Sequence, residues 1–120
     1  MSKAARAQEL IGAVCEEFGV ERAELSEKRG QGTSSNLRQA RAACALLAGA
    51  AAGLPVAAMG RLIGYQGKYF WHLGRQARTW LRWANWPEPP QKSGAVNFRR
   101  KIGRICQRWE VDIEELAQEP

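Results

Sequence analysis

Apolar residues recur every three or four positions along most of the chain, which is the spacing of one face of an α-helix. The first such stripe predicts a helix over positions 3–18, with Ser2 as its N-cap and Gly19 in a left-handed C-terminal cap. The apolar members of this stripe are Leu10, Ile11, Val14, Cys15 and Phe18. A short helical turn over positions 20–25 is predicted to follow.

A second helix is predicted over positions 36–52, after a loop rich in glycine and serine. Gly53 and Pro55 end it, because proline cannot continue a helix. The pattern leaves Arg38 and Arg41 outside the apolar stripe, so we expect both to face solvent or a ligand. The stripe itself consists of Leu37, Ala40, Ala43 or Cys44, Leu47 and Ala51.

A short helix over 56–63, a tight glycine turn and a long helix over 68–84 come next. We expect Phe70 and Trp71 in the core, because Trp71 and Trp80 widen the apolar face of the long helix. The other members of that face are Phe70, Gly74, Ala77, Leu81 and Ala84. A short helix, a turn and a longer helix with a basic outer side are typical of a helix-turn-helix.

The three prolines within positions 85–94 predict a linker that interrupts the helices. A last amphipathic helix is predicted over about 96–109. The pattern therefore favours an all-α bundle containing a helix-turn-helix over residues 1–84, then the linker, then a helical segment over 95–120.

Residues 11–25 and 102–116 align without a gap, and Ile, Gly, Cys, Val, Glu and Leu recur at matching positions. Phe18 is replaced by Trp109. Two explanations stay open. The last segment is either the start of a second, repeated module or a decayed repeat that packs on the first domain. The first is slightly favoured, because half a unit cannot bury its own apolar face.

The charge is distributed very unevenly along the chain. Residues 1–27 have a net charge of −3 and residues 105–120 a net charge of −4. Residues 28–104 carry fourteen Lys and Arg against Glu88 alone, a net charge of +13. A basic middle between two acidic ends predicts a polyanionic partner, because Lys and Arg release condensed counterions at a phosphate surface.

From about Val14 to Arg82 the chain resembles the C-terminal DNA-binding domain of the bacterial replication initiator DnaA, a TrpR-like helix bundle. The stretches that carry the resemblance are Val14–Val20 through Leu25, the basic pair Lys28-Arg29, Leu37-Arg-Gln-Ala-Arg41 and Met59-Gly-Arg-Leu-Ile-Gly64. The third stretch is similar to the family's Arg-Gln signature, whose arginine reaches the minor groove. The fourth is similar to the segment that leads into the family's recognition helix.

The resemblance implies the fold and DNA binding, but not the same DNA box and not initiation of replication. Where the family has an Asp-His-Thr-Thr motif that reads bases, this chain has Gly67-Lys68-Tyr69-Phe70. The nucleotide-binding domain of DnaA also has no counterpart in these 120 residues. DnaA-like modules of this kind also occur in activators of phage-like gene clusters, including gene transfer agents.

In such a fold the first turns of the recognition helix lie against base edges in the major groove. The candidates for reading bases are Gln66, Lys68, Tyr69, His72 and Arg75. The candidates for contacting the groove or the phosphates are Lys28, Arg29, Arg38, Gln39, Arg41 and Arg61. The cluster Arg99-Arg100-Lys101 either extends this footprint or is a solvated helix start.

The sequence argues against an enzyme, because it has one histidine and no nucleophile paired with a base. It also argues against zinc and other cofactors, because Cys15, Cys44 and Cys106 lie far apart. They are expected to be buried free thiols of a cytoplasmic, nucleoid-associated protein. No secretory signal or membrane-spanning segment is evident. We therefore expect no membrane and no small-molecule substrate among its partners.

The function expected from these observations is sequence-specific binding of double-stranded DNA, as a transcriptional regulator that also contacts RNA polymerase or another regulatory protein. A role in replication or transposition is the alternative within DNA binding. A protein-interaction adaptor is an alternative from another class. The five tryptophans add a further one, binding of single strands or RNA by stacking.

Overall fold

A computed structural model describes residues 2–27, 35–65, 68–84 and 93–118 of the chain. All the regular structure in these residues is helical. The all-α prediction is therefore confirmed. The elements are α1 (Lys3–Phe18), a 3-10 helix (Arg22–Ser26), α2 (Ser35–Ala52), α3 (Val56–Ile63), α4 (Lys68–Ala84), α5 (Ser93–Trp109) and α6 (Ile113–Gln118). None of these helices has the length and apolar character that crossing a membrane requires.

Helix α1 begins and ends where the sequence predicts. The Oγ atom of Ser2 accepts a hydrogen bond from the Ala5 N–H at 3.1 Å, which satisfies one of the free donors at the helix start. Gly19 has φ +67°, and the Val20 N–H then donates to the Cys15 carbonyl at 3.0 Å. This left-handed residue followed by a bond back into the last turn is the usual glycine-based helix ending.

Helix α2 lies at the centre of the bundle, between α1 and α4. It is buried on more sides than its predicted stripe, since every residue from Ala40 to Ala48 is buried. Alanine and Gly74 allow α4 to approach it closely. A Cβ atom built on Gly74 would lie 3.3 Å from the Cβ of Ala45, which is too tight for an ordinary contact.

The turn between α3 and α4 requires glycine at position 64. Gly64 has φ +75°, a conformation that residues with a Cβ rarely adopt. A Cβ atom there would also lie 2.9 Å from the Cβ of Ser26 in the 3-10 helix. The Tyr65 N–H donates to the Gly60 carbonyl at 3.0 Å and closes the end of α3.

The C-terminal segment packs on the rest of the bundle, mainly against α4. Phe98 of α5 is fully buried, and its ring lies 5.8 Å from that of Phe18 and 5.1 Å from that of Trp80. Helix α5 begins at Ser93, inside the predicted linker, because no proline follows Pro90 in that linker. Residues 85–92 of that linker lie outside the described ranges.

The two aligned segments also end their helices in the same way. Val111 donates to the Cys106 carbonyl at 2.9 Å, which matches the bond from Val20 to Cys15. Glu110 occupies the left-handed position with φ 56°, where the first segment has Gly19. The sequence repeat is therefore a structural repeat of a helix, a left-handed turn and a short helix, and α6 is the part of it that periodicity did not predict.

The three cysteines are buried and free, as predicted. Burial raises the pKa of the Cys44 thiol to about 12 and that of Cys106 to about 11. The pKa of Cys15 is raised too, again mainly by burial. Within the described ranges, no three His, Cys, Asp or Glu side chains come together in a group that could hold a metal ion.

Candidate nucleic-acid interface

The outer side of α4 carries most of the residues predicted to read bases. Lys68, Tyr69, His72 and Arg75 are all exposed, and Tyr69 retains 57% of its accessible surface. The spacings of three and four between Lys68, His72 and Arg75 place these three side chains on one face of the helix. Gln66, the fifth candidate, lies outside the described residues.

Trp71 is part of this outer side, and its predicted place in the core is wrong. Its side chain is 50% exposed, whereas the adjacent Phe70 is 1% exposed and packs in the core as expected. The Cζ atom of Arg75 lies 5.1 Å from the centroid of the Trp71 ring, and the ring of His72 lies 5.4 Å from it. Trp71, His72 and Arg75 therefore form an exposed cluster, in which the guanidinium is held against the indole.

Helix periodicity explains why Trp71 is exposed. The buried residues of α4 are Phe70, Leu73, Gly74, Ala77 and Leu81. At 100° per residue, Trp71 lies about a quarter turn from the centre of that buried face. Its large apolar ring alone suggested that it belongs in the core. The spacing of three to Lys68 and four to Arg75 was the signal that places it with the cations.

Arg38 projects from the first turns of α2 toward the same helix. Its Nη2 donates to Oε1 of Gln76 at 2.8 Å, and its Cζ lies 5.8 Å from the centroid of the Trp80 ring. The side chain as a whole remains exposed. The fold therefore brings Arg38 beside the middle of α4, with its guanidinium oriented by two α4 side chains.

Gln39, the next residue, is half-buried rather than solvent-facing. Its Oε1 atom is buried and has no hydrogen-bond partner among the residues that the structure describes. The carbonyl end of this side chain is therefore covered by the protein.

Arg41 is not a phosphate contact, contrary to the sequence prediction, because its guanidinium is buried and used by the fold. Only 4% of the residue is exposed. It donates to the backbone carbonyls of Leu25 at 3.0 Å, of Glu24 at 3.2 Å and of Glu27. Its Cζ also lies 4.3 Å from the ring centroid of Tyr65. These carbonyls end the 3-10 helix, so Arg41 joins that helix to α2.

Arg61 is exposed in the last turn of α3, beside the turn that leads into α4. The neighbouring Leu62 carbonyl accepts a hydrogen bond from Arg22 at 3.0 Å, which ties α3 to the 3-10 helix. Lys28 and Arg29, the remaining candidates, lie outside the described residues.

Carboxylates are absent from the three helices that build this surface. The sequences of α2, α3 and α4 contain no Asp or Glu. The acidic residues belong to α1, the 3-10 helix, α6 and the segments outside the helices. Over the described ranges, neither Lys68 nor Arg75 has an ion-pair partner, so both positive charges are directed at solvent.

We compared the chain with known protein families, with curated proteins and with solved structures. None of them matches it. The resemblance to the DnaA domain therefore stays an expectation.

Proposed function

We propose that the chain binds double-stranded DNA by placing the outer side of α4 in the major groove. One observation carries the proposal: two exposed cations of this face, Lys68 and Arg75, point outward and have no ion-pair partner among the described residues. An uncompensated basic face attracts a polyanion over a distance of about a Debye length. An α-helix also fits the width of the major groove.

The elements around α4 supply the rest of the proposed interface. Helix α3 and the glycine turn at Gly64 would form the first part of a helix-turn-helix, with α3 crossing the DNA backbone. Arg61 at the end of α3 would contact a phosphate, which positions the protein but specifies no sequence. Arg38 would reach the backbone or the adjacent minor groove, as the resemblance to the DnaA domain implies.

The biological role that we propose is regulation of transcription, by a binding module rather than an enzyme. The chain would act on chromosomal DNA in the cytoplasm, with RNA polymerase or another regulator as its protein partner. The uneven charge supports this role, because the basic middle of the chain would bind DNA while the acidic residues of α1 and α6 stay away from it. Activation of a phage-like gene cluster is one setting that the resemblance suggests.

A second candidate function is binding of single-stranded nucleic acid, and the exposure of Trp71 and Tyr69 favours it. Bases of a single strand stack on exposed aromatic rings, and such stacking contributes about 1–3 kcal/mol per base. The other described tryptophans are half-buried, which limits the number of rings available for a continuous stacking platform. For this reason we rank this candidate below duplex binding.

Fluorescence anisotropy distinguishes the two candidates. A labelled random-sequence duplex and a single strand of equal length would be titrated with the protein at several salt concentrations. The exposed cations of the proposed interface are Arg38, Arg61, Lys68 and Arg75. If each displaces about one counterion, the slope of log K against log salt is roughly −4, or about a hundredfold weaker duplex binding between about 50 and about 200 mM salt. Absence of duplex binding at low salt would contradict the proposal, and a preference for the single strand would favour the second candidate.

A further inference from the structure

The most prominent apolar group on the proposed DNA-binding face is the indole of Trp71. The large hydrophobic residues exposed in the described chain are Tyr69, Trp71 and Val96, and two of them lie on α4. Trp71 follows Lys68 by three positions and precedes Arg75 by four, so its ring lies between two cations along the helix. Any ligand that both cations contact therefore also covers the indole.

Arg75 and Trp71 lie close enough together for one to contact a base pair and the other its neighbour. The Arg75 Cζ lies 5.1 Å from the indole centroid. Successive base pairs of a duplex are about 3.4 Å apart. Because the guanidinium already rests on the ring, it would enter the groove with part of its rotamer freedom removed, which favours a defined hydrogen-bond geometry.

The chemistry of the major groove limits what each member of the pair can contact. The only apolar group on the base edges there is the C5-methyl of thymine. An arginine, in turn, pairs best with O6 and N7 of guanine through two hydrogen bonds. The indole would therefore be matched by a thymine, and the guanidinium by a guanine.

We infer that Trp71 and Arg75 together read a thymine next to a guanine, with the indole on the thymine methyl and the guanidinium on the guanine edge. This inference rests on the proposed function, because it requires α4 to lie in the major groove. It assigns sequence selectivity to a residue whose type alone suggested the core.

The test begins with selection of preferred sites from a pool of random duplexes. In the selected site each thymine is then replaced by deoxyuridine, which removes only the methyl group. Loss of one buried methyl predicts about fourfold weaker binding by the wild-type protein at the thymine that Trp71 contacts. Replacing the adjacent guanine by 7-deazaguanine, which lacks the N7 acceptor, predicts a loss of about tenfold.

Variants assign these losses to the two side chains. Trp71→Ala is expected to bind the thymine and deoxyuridine sites equally, and Arg75→Ala to become insensitive to the deazaguanine substitution. Tyr69→Ala is the matched control, because it removes another exposed aromatic ring of α4 and should keep the preference for thymine. Circular dichroism checks the fold of each variant, and the measurements on the wild-type protein need no variant at all.

The outcomes separate this inference from the proposed function. A wild-type protein that binds the selected duplex with the same Kd after every thymine replacement would overturn the thymine contact alone. The thymine contact would also be overturned if the folded Trp71→Ala variant still preferred thymine to deoxyuridine. A protein that binds no duplex would instead overturn the proposed function, and this inference with it.

Discussion

Helices α4 and α5 pack against each other, have 17 residues each and both present a basic outer side, yet they use their charges differently. On α5, Arg99 is paired with Glu114 of α6, and Arg104 lies 2.9 Å from Glu17 of α1. Arg99 also donates to the carbonyl of Leu81 at 3.3 Å. Much of the positive charge of α5 thus already has acceptors within the protein.

On α4, Lys68 and Arg75 have no such acceptors within the described ranges. The difference shows that net charge along a sequence does not identify a binding surface. What matters is whether the fold places carboxylates and free carbonyls within reach of each cation. By this criterion Lys68 and Arg75 of α4 are available to a polyanion, whereas Arg99 and Arg104 of α5 link that helix to α6 and α1.

Removal of Arg41 should have the largest effect on stability, because its buried guanidinium donates to three backbone carbonyls. Arg41→Ala removes the guanidinium that donates to the carbonyls of residues 24, 25 and 27. We expect the free energy of unfolding to fall by about 3 kcal/mol. For a domain of this size, this corresponds to a decrease in Tm of roughly 10 °C.

Thermal and urea unfolding measure this loss, and Arg38→Ala provides the matched control from the same helix. Arg38 is exposed, so its removal should change the free energy of unfolding by less than about 1 kcal/mol. Equal losses in the two variants would contradict the structural role of Arg41. The thiol of Cys44 gives an independent readout, since burial should keep it unreactive toward thiol reagents until the bundle opens.

Removing two positive charges from α4 or from α5 tests whether the two helices contribute differently to duplex binding. The double variant Lys68→Ala/Arg75→Ala should weaken duplex binding by about 2 kcal/mol, or roughly thirtyfold in Kd, and reduce the salt slope by about 2. The double variant Arg100→Ala/Arg104→Ala removes the same net charge from α5. It should change Kd by less than about threefold. Similar losses in both would show that only overall charge matters.

The smallest effect is expected from the ion pair between Arg104 and Glu17. The arginine side chain is 60% exposed, so water and salt screen the attraction. Arg104→Gln should therefore lower the free energy of unfolding by no more than about 0.5 kcal/mol. Urea unfolding at low and high salt checks this value, and a loss comparable to that of Arg41→Ala would require a larger role for α5 charge pairs in stability.

The helices themselves could be predicted because their stabilising interactions are local. The spacing of apolar residues and the glycine at position 19 predict α1 correctly, and α3 and α4 have their predicted bounds. Arg41 could not be predicted in this way. Its three carbonyl acceptors lie 14 to 17 positions earlier, and only the packing of the 3-10 helix on α2 brings them to it.

Trp71 could not be placed correctly for a different reason, because its residue type suggested the core and its position on the helix did not. A tryptophan beside Phe70 suggests a wide apolar face, although its angular position on α4 is shared with Lys68 and Arg75. Tertiary packing decides such borderline positions, because α2 covers only part of the helix surface. The candidate site was therefore predictable as a helix and a charge pattern, but its aromatic member was not.

Binding of duplex DNA by the outer side of α4 is best tested by an NMR titration of the isotopically labelled protein with a selected duplex. The indole N–H signal of Trp71 and the backbone amides of Lys68 to Arg75 should shift most, while the indole signal of Trp109 changes little. Shifts concentrated on α5, or none on α4 despite binding, would contradict this mode of binding.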